Sequence, residues 1–370
     1  MEFTIHNQVL LSVFVLALIL GAIASKTNFC TMGAVSDWVN MGDTGRLRAW
    51  LFAIAIAVLG VATLESSGAA AIGNATFPPY RTPNFAWLRY LLGGLMFGVG
   101  MTLASGCGNK TLVRIGAGNL KSLAVLAIAA ACAYLMLWTD FYGTVFNPWI
   151  AATTIDLGKA GMQSQALSEL FGGGSPMAKL GTALVIGLAL AGFALASAEF
   201  RGSVDNILAG IVIGLVIVAG WYITGGAMGS AWKEWAEMAD AMPSRVEVQS
   251  FTFISPMGDS VRYLFEPTNL ANINFGIMAL TGVIVGSFLH AVLSGGFRIE
   301  WFVSGGDFLN HAVGAVLMGI GGVLSMGCTI GQGITGFSTL AMGSILTFIA
   351  IVAGAAATMK FQYWRMMQEA

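Results

Sequence analysis

The sequence predicts an all-α polytopic membrane protein of about nine transmembrane helices plus short re-entrant helices, arranged as two pseudo-symmetric, inverted halves. Three observations carry this. Of the residues, 56% are hydrophobic and only 9% charged, against about 25% charged in an ordinary soluble domain. The apolar residues fall into nine runs, each near the ~20 residues that cross ~30 Å of hydrocarbon. Finally, one glycine-rich frame occurs twice, at residues 93–107 and 314–328. With Cys107 laid on Cys328, the frames share Gly93/Gly314, Gly98/Gly319, Gly100/Gly321, Leu103/Leu324, Gly106/Gly327 and Cys107/Cys328. Glycines at such spacings leave a surface on which backbones approach closely. The same frame would also serve two small core cysteines in helix-packing motifs.

The first run, Val9 to Ala24, has Glu2 and His6 before it and no Lys or Arg. A signal peptide needs a basic leading region, so the run is read as a retained span. Asn28-Phe29-Cys30-Thr31-Met32-Gly33 follows, again a cysteine near a glycine. Further spans are expected at about 47–64, 86–106, 121–139, 180–198, 204–224, 271–290, 309–327 and 340–358. Their orientation follows from the excess of Lys and Arg in cytoplasmic loops. Lys26, Arg46, Arg48, Lys110, Arg114, Lys121, Arg201, Arg298, Lys360 and Arg365 fall on one side if the N-terminus is periplasmic and the C-terminus cytoplasmic. Arg81, in the loop 65–85, is the exception. Residues 1–370 are read as one transmembrane domain, with an N-terminal half 1–139 and a C-terminal half 180–360. Segments 140–179 and 225–270 are periplasmic connections. The second carries Glu234, Glu237, Asp240, Glu247, Asp259 and Glu266. It opens with Trp232, Trp235, Met238 and Met242 at helical spacing, which predicts an amphipathic helix lying in the interface.

In this topology Cys107 stands at the inner end of its span and Cys328 at the outer end of its own. The two frames are therefore inverted, the arrangement that builds a central site between transporter halves. A weaker likeness lays Gly33 and Trp38 on Gly296 and Trp301 and so sets Leu293 opposite Cys30. It breaks the parity of the first unless short half-helices dip into the membrane around Cys30 and Leu293.

A net charge of −1 and only three histidines argue against a nucleic-acid partner and against a metal-dependent or acid–base enzyme. Four cysteines without a CxxC pair offer neither a zinc site nor a disulfide framework. Cys132, flanked by alanines in mid-span, reads as packing. Cys30, Cys107 and Cys328 lie at the ends of apolar runs, where soft thiols suit a soft, sulfur-containing solute. Peptide N–H groups beyond the turns at Gly106, Gly108 and Gly327 offer partial positive charge to an anion. Asn109, Lys110, Thr111, Thr329 and Gln332 are polar residues placed to line such a path or to satisfy backbone ends.

The blocks 28–33, 93–98 through 105–107, 273–276 through 285–288, and 316–319 through 326–331 resemble the YeeE/YedE family of sulfur transporters, in order over nearly the whole chain. The resemblance implies import of thiosulfate through a nine-span, hourglass-shaped protein in the bacterial inner membrane. It further implies that Cys30, Cys107 and Cys328 pass the ion along by S–H···S contacts, with no cofactor. A small TusA-like sulfur-carrier protein is the implied cytoplasmic partner. Ser105 and Met326 stand where the family commonly has glycine. Selenium compounds, sulfite or polysulfides are alternative solutes. A membrane sulfurtransferase forming a persulfide, with Cys107 as its nucleophile, is the alternative of another class.

Overall fold

The computed structural model describes residues 4–239 and 241–369. Glu2 and Asp240, named above from the sequence, lie outside the described residues. Among the described residues, nine helices are long and apolar enough to cross a membrane, and the protein is an all-α membrane protein. In order, α1 (Ile5–Lys26), the short α2 (Thr31–Ser36) with a π-turn Asp37–Met41, and α3 (Gly45–Ser66) open the chain. Next come α4 (Trp87–Leu103), the short α5 (Gly108–Gly116) and α6 (Leu120–Trp138). After α7 (Asn147–Thr153) and α8 (Leu167–Gly172) follow α9 (Pro176–Ala196), α10 (Ala198–Gly202), α11 (Val204–Gly225) and α12 (Ala227–Glu237). The chain closes with α13 (Ile254–Phe265), α14 (Phe275–Leu293), α15 (Gly305–Leu324) and α16 (Met342–Glu369). Between the last two lies a helical stretch, 329–338, whose middle Gly331–Gly336 is a π-helix. Four two-residue strands pair as β1 (Thr76–Phe77) with β4 (Val248–Gln249) and β2 (Asn84–Phe85) with β3 (Ile155–Asp156).

Helix starts follow the expected chemistry. Side chains of Asn119 and Asn274 accept the first-turn N–H groups of Ser122 and Ile277 at 2.9 and 3.1 Å. Ser175 caps α9, which begins with a proline at its first position. Such caps satisfy donors that the helix itself leaves unpaired.

The repeated glycines are the packing surface. α4 and α15 cross antiparallel: a β-carbon at Gly100 would lie 2.6 Å from the Gly314 carbonyl oxygen, and one at Gly314 would lie 2.6 Å from that of Gly100. Gly94 and Gly98 face α16, and Gly319 faces Ala129 and Cys132 on α6. The same contacts recur with the helices exchanged. α4 packs on α16 as α15 packs on α6, and α1 packs on α14 as α3 packs on α11. The series α1–α6 is thereby mirrored by α11, α13, α14, α15, the 329–338 stretch and α16, running in the opposite direction.

Contacts between helix ends define two rims. The ends of α1 and α14 meet through Ser25 and His290, and the starts of α6 and α15 through the Lys121–Asp307 ion pair. This rim also carries Lys26, Arg46, Arg48, Arg201 and Arg298 and is called the basic rim below. The segments 140–179 and 225–270 both lie on the opposite rim. There Gln165, fully buried, ties Tyr90 of α4 to the backbone of Gly343 on α16.

The structure corrects three expectations. Leu293 is 86% exposed at the end of α14, and residues 294–304 form no half-helix. The counterpart of Cys30 is instead Phe253, at the start of α13. The segment 225–270 is therefore more than a connection, because α13 packs on α6 and α14 inside the fold. Trp232 is not an interfacial anchor either: it is fully buried, donating to His6 Nδ1 at 2.9 Å, while Trp235 stacks on the same imidazole.

Candidate substrate path

Each of the three cysteines sits on the same local device. A long helix ends in a Schellman turn, in which the N–H of the second residue past the cap returns to a carbonyl five residues back. The bonds are Phe29 to Ala24 (3.2 Å), Gly106 to Met101 (2.9 Å) and Gly327 to Gly322 (2.8 Å). The residue before each donor takes a left-handed conformation: Asn28 at φ 51°, Ser105 at 57° and Met326 at 62°. The cysteine comes next and caps a short helix. Cys30 Sγ accepts the Gly33 N–H at 3.5 Å and Cys328 Sγ that of Gly331 at 3.4 Å. Cys107 holds the same N-cap position on α5, without a side-chain cap hydrogen bond.

The turn reverses the chain, so each cysteine is carried back toward the middle of the protein. Cys107 and Cys328 are therefore not at the inner and outer ends of their spans, as a continuous helix would place them; they meet. A β-carbon at Gly108 would lie 3.8 Å from Cys328 Cβ. The Thr329 hydroxyl and the Cys30 thiol both lie near the Cys107 thiol. Phe253, the residue before α13, lies next to Cys328, in the place that Cys30 holds toward Cys107. All three thiols are buried, at 4%, 0% and 0% exposure. Cys132 is half-buried against Gly319, apart from this file.

The remaining sequence-named residues divide into two kinds. Thr111 donates to the Cys107 carbonyl (3.1 Å), and Gln332 spans its own turn, Nε2 to Ser325 O at 2.5 Å; both close backbone ends. Gly327 leaves room for the Gln332 side chain and Gly106 for Lys110 and Arg114. Asn109, however, is fully buried with neither amide atom hydrogen-bonded, and Thr329 Oγ1 and Gln332 Oε1 are also without a conventional partner. A buried polar group left unpaired costs ~1–3 kcal/mol, so the cluster is costly to keep without a partner.

Sequence reasoning missed Thr31 and Thr252, whose buried hydroxyls are likewise unpaired. The repeated dipeptide Cys-Thr, at 30–31 and 328–329, was a signal for the first. It also missed Trp50, which stacks on Phe29 at 4.5 Å and keeps its indole N–H free.

Each rim carries a vestibule. On the opposite rim a cavity of about 420 Å³ is lined by Arg89, Tyr90, Tyr142, Asn147 and Met326, two residues from Cys328. On the basic rim one of about 260 Å³ is lined by Met32, two residues from Cys30, with Ser36, Thr102, Met359 and Tyr363.

A family model described as "Sulphur transport" matches residues 26–357. A protein named thiosulfate transporter TsuA from Escherichia coli (strain K12) is 23% identical over 347 residues, covering 88% of this chain and 87% of its own. A protein of the same name from Spirochaeta thermophila is 24% identical over 295 residues, covering 71% and 74%.

Proposed function

Since the chain belongs to the sulphur transport (YeeE/YedE) family, we propose that it imports thiosulfate across the bacterial inner membrane, with the basic rim cytoplasmic. The observation that carries the reading is the group of three buried thiols, flanked by polar groups that have no partner inside the protein. Thiosulfate has a soft terminal sulfur and three oxyanion oxygens, and the path offers both kinds of complement. Neutral thiols donate S–H to the sulfur without repelling it. The Asn109 amide and the Thr31, Thr252 and Thr329 hydroxyls replace part of the water shed by the oxygens. The α5 and 329–338 helices both begin at the centre, so their unpaired N–H groups add partial positive charge there. None of these groups holds the ion as tightly as a buried Lys or Arg would, and that permits release.

In this mechanism the ion enters the Met326 vestibule, passes from Cys328 to Cys107 to Cys30, and leaves past Met32. Each thiol returns to its starting state, and no bond to sulfur is made. The protein therefore acts as a carrier rather than as a persulfide-forming sulfurtransferase. On the resemblance to the family, a TusA-like carrier receives the product at the basic rim.

Uptake of labelled thiosulfate by cells expressing equal amounts of each variant tests this. Cys30→Ser, Cys107→Ser and Cys328→Ser are expected to slow uptake roughly ten- to a hundredfold, the effect of one lost hydrogen bond to a charged group. Cys132→Ala should transport at the parental rate. Parental uptake in all three serine variants would remove the thiols from the path. A sulfur adduct on Cys107 in protein recovered during turnover would favour the sulfurtransferase.

A further inference from the structure

Immediately past the Cys30–Cys107 pair, on the basic-rim side, three cations converge. Lys110 Nζ donates to Asn28 Oδ1 at 3.0 Å, which uses one of its three donors. Arg114 Nη1 donates to the Ser105 carbonyl at 2.6 Å. Arg46 pairs with Asp37 through both Nε and Nη2. Two glycines beside the thiols make this approach possible. A β-carbon at Gly106 would lie 3.3 Å from Lys110 Cγ and 3.9 Å from Arg114 Nη1. One at Gly33, whose N–H caps Cys30, would overlap the Arg46 guanidinium. The charge is not balanced. Asp37 answers Arg46, and Asp43, which accepts the Gly45 N–H at 2.7 Å, also lies near Arg46; neither forms an ion pair with Lys110 or Arg114. Among the described residues, Lys110 and Arg114 form no ion pair.

We infer that Lys110, Arg114 and Arg46 form a second anion site, on the cytoplasmic side of the thiols, for a small divalent oxyanion. The inference rests on the transport reading for its consequence but not for its binding. A dianion between these side chains meets two unneutralised cations with free N–H donors, and charge-assisted hydrogen bonds of this kind are about twice as strong as neutral ones. The site is chemically unlike the central one. The centre is soft and neutral and selects for sulfur, whereas this cluster is hard and cationic and accepts any tetrahedral dianion, sulfate included. Its consequence is that cytoplasmic sulfate, bound beside the Cys30–Cys107 pair, slows further import, so a sulfate-replete cell restrains its own thiosulfate uptake.

Two measurements test this. Binding of labelled sulfate to the purified protein in detergent, at constant ionic strength, is expected to saturate, to weaken at least tenfold in Lys110→Gln, and to recover in Lys110→Arg, which restores the charge and confirms the fold. Thiosulfate uptake into proteoliposomes with the basic rim facing the lumen is expected to fall severalfold when the lumen holds sulfate instead of chloride. Absence of sulfate binding, or binding unaffected by Lys110→Gln, overturns the site. Uptake indifferent to lumenal sulfate overturns its role as a brake. Charge-dependent sulfate binding with no thiosulfate uptake at all would support the site and sink the transport reading.

Discussion

Asn28, Ser105 and Met326 share a backbone conformation that side chains disfavour, since only glycine adopts positive φ freely. Asparagine tolerates it best of the three, and Asn28 also uses its side chain, accepting from Lys110. Ser105 donates no side-chain hydrogen bond that would offset the strain. The family resemblance already marked 105 and 326 as usual glycine positions, and the left-handed turn supplies the reason. Ser105→Gly should therefore stabilise the protein by ~0.5–1 kcal/mol, read as a higher midpoint of thermal unfolding in detergent. A lower midpoint would mean that the serine side chain does something the contacts do not show. Cys30 was harder to align than the other two cysteines for the same reason. Its turn has the same geometry but is spelled Asn-Phe-Cys, and likeness of letters found only the two turns spelled with Gly-Cys.

At the scale of elements, hydropathy located all nine long helices, because each must bury its backbone polar groups in its own hydrogen bonds. The breaks within them were less legible. A Schellman turn followed by a short helix keeps the apolar composition of a span, so 86–106 looked like one rod ending at Cys107. The structure stops α4 at Leu103 and turns the chain back. α13 was missed for the opposite reason: at twelve residues, with Asp259 and Arg262 within it, it is too short and too polar to read as part of a membrane core. Asp259 is nonetheless buried, held by Arg245, Trp138 and Asn274. The glycine frame, by contrast, was legible both as packing and as path, and the packing is what the close contacts of Gly100 and Gly314 display. Gly98→Ala should test the packing part. Its new methyl would run into the Ile351 carbonyl and lie 2.9 Å from the Ala355 nitrogen, forcing α4 and α16 apart. Overpacking of this kind costs about 1–3 kcal/mol or more. Gly192→Ala, in α9 with nothing within 4 Å, should be neutral or gain up to about 1 kcal/mol from helix propensity. Equal thermal midpoints for the two variants would show that the close contact of α4 with α16 is not a constraint.

At the scale of the whole molecule, the inverted repeat explains why a nearly neutral, cation-poor centre can exist at all. Two helix series of opposite direction bring the starts of their short helices to one point from both sides, and each contributes N–H groups where neither brings a charged side chain. The same inversion fixes which termini share a rim but not which rim is cytoplasmic, and that rests on charge. The apparent exception in the sequence, Arg81, is resolved by its surroundings. It is 6% exposed, pairs with Glu65 at 2.5 Å, and donates to the carbonyls of Ile72 and Thr339. Other cations on that rim are also engaged: Arg89 on the end carbonyls of α15, Arg245 on Asp259, and Arg262 over the Trp138 ring at 3.9 Å. A guanidinium that is neutralised or buried in the fold is a poor topological signal, whereas Lys26, Arg201 and Arg298 on the basic rim pair with no acid among the described residues. Single cysteines placed at Lys159 and at Gly202, both exposed and on opposite rims, put this to the test with a membrane-impermeant maleimide. The Lys159→Cys protein should label in intact spheroplasts, and the Gly202→Cys protein only after permeabilisation. The reverse pattern would turn the molecule over and make the sulfate-binding cluster face the periplasm, where it would collect anions instead of braking their release. Labelling of both from one side would contradict the inverted repeat itself.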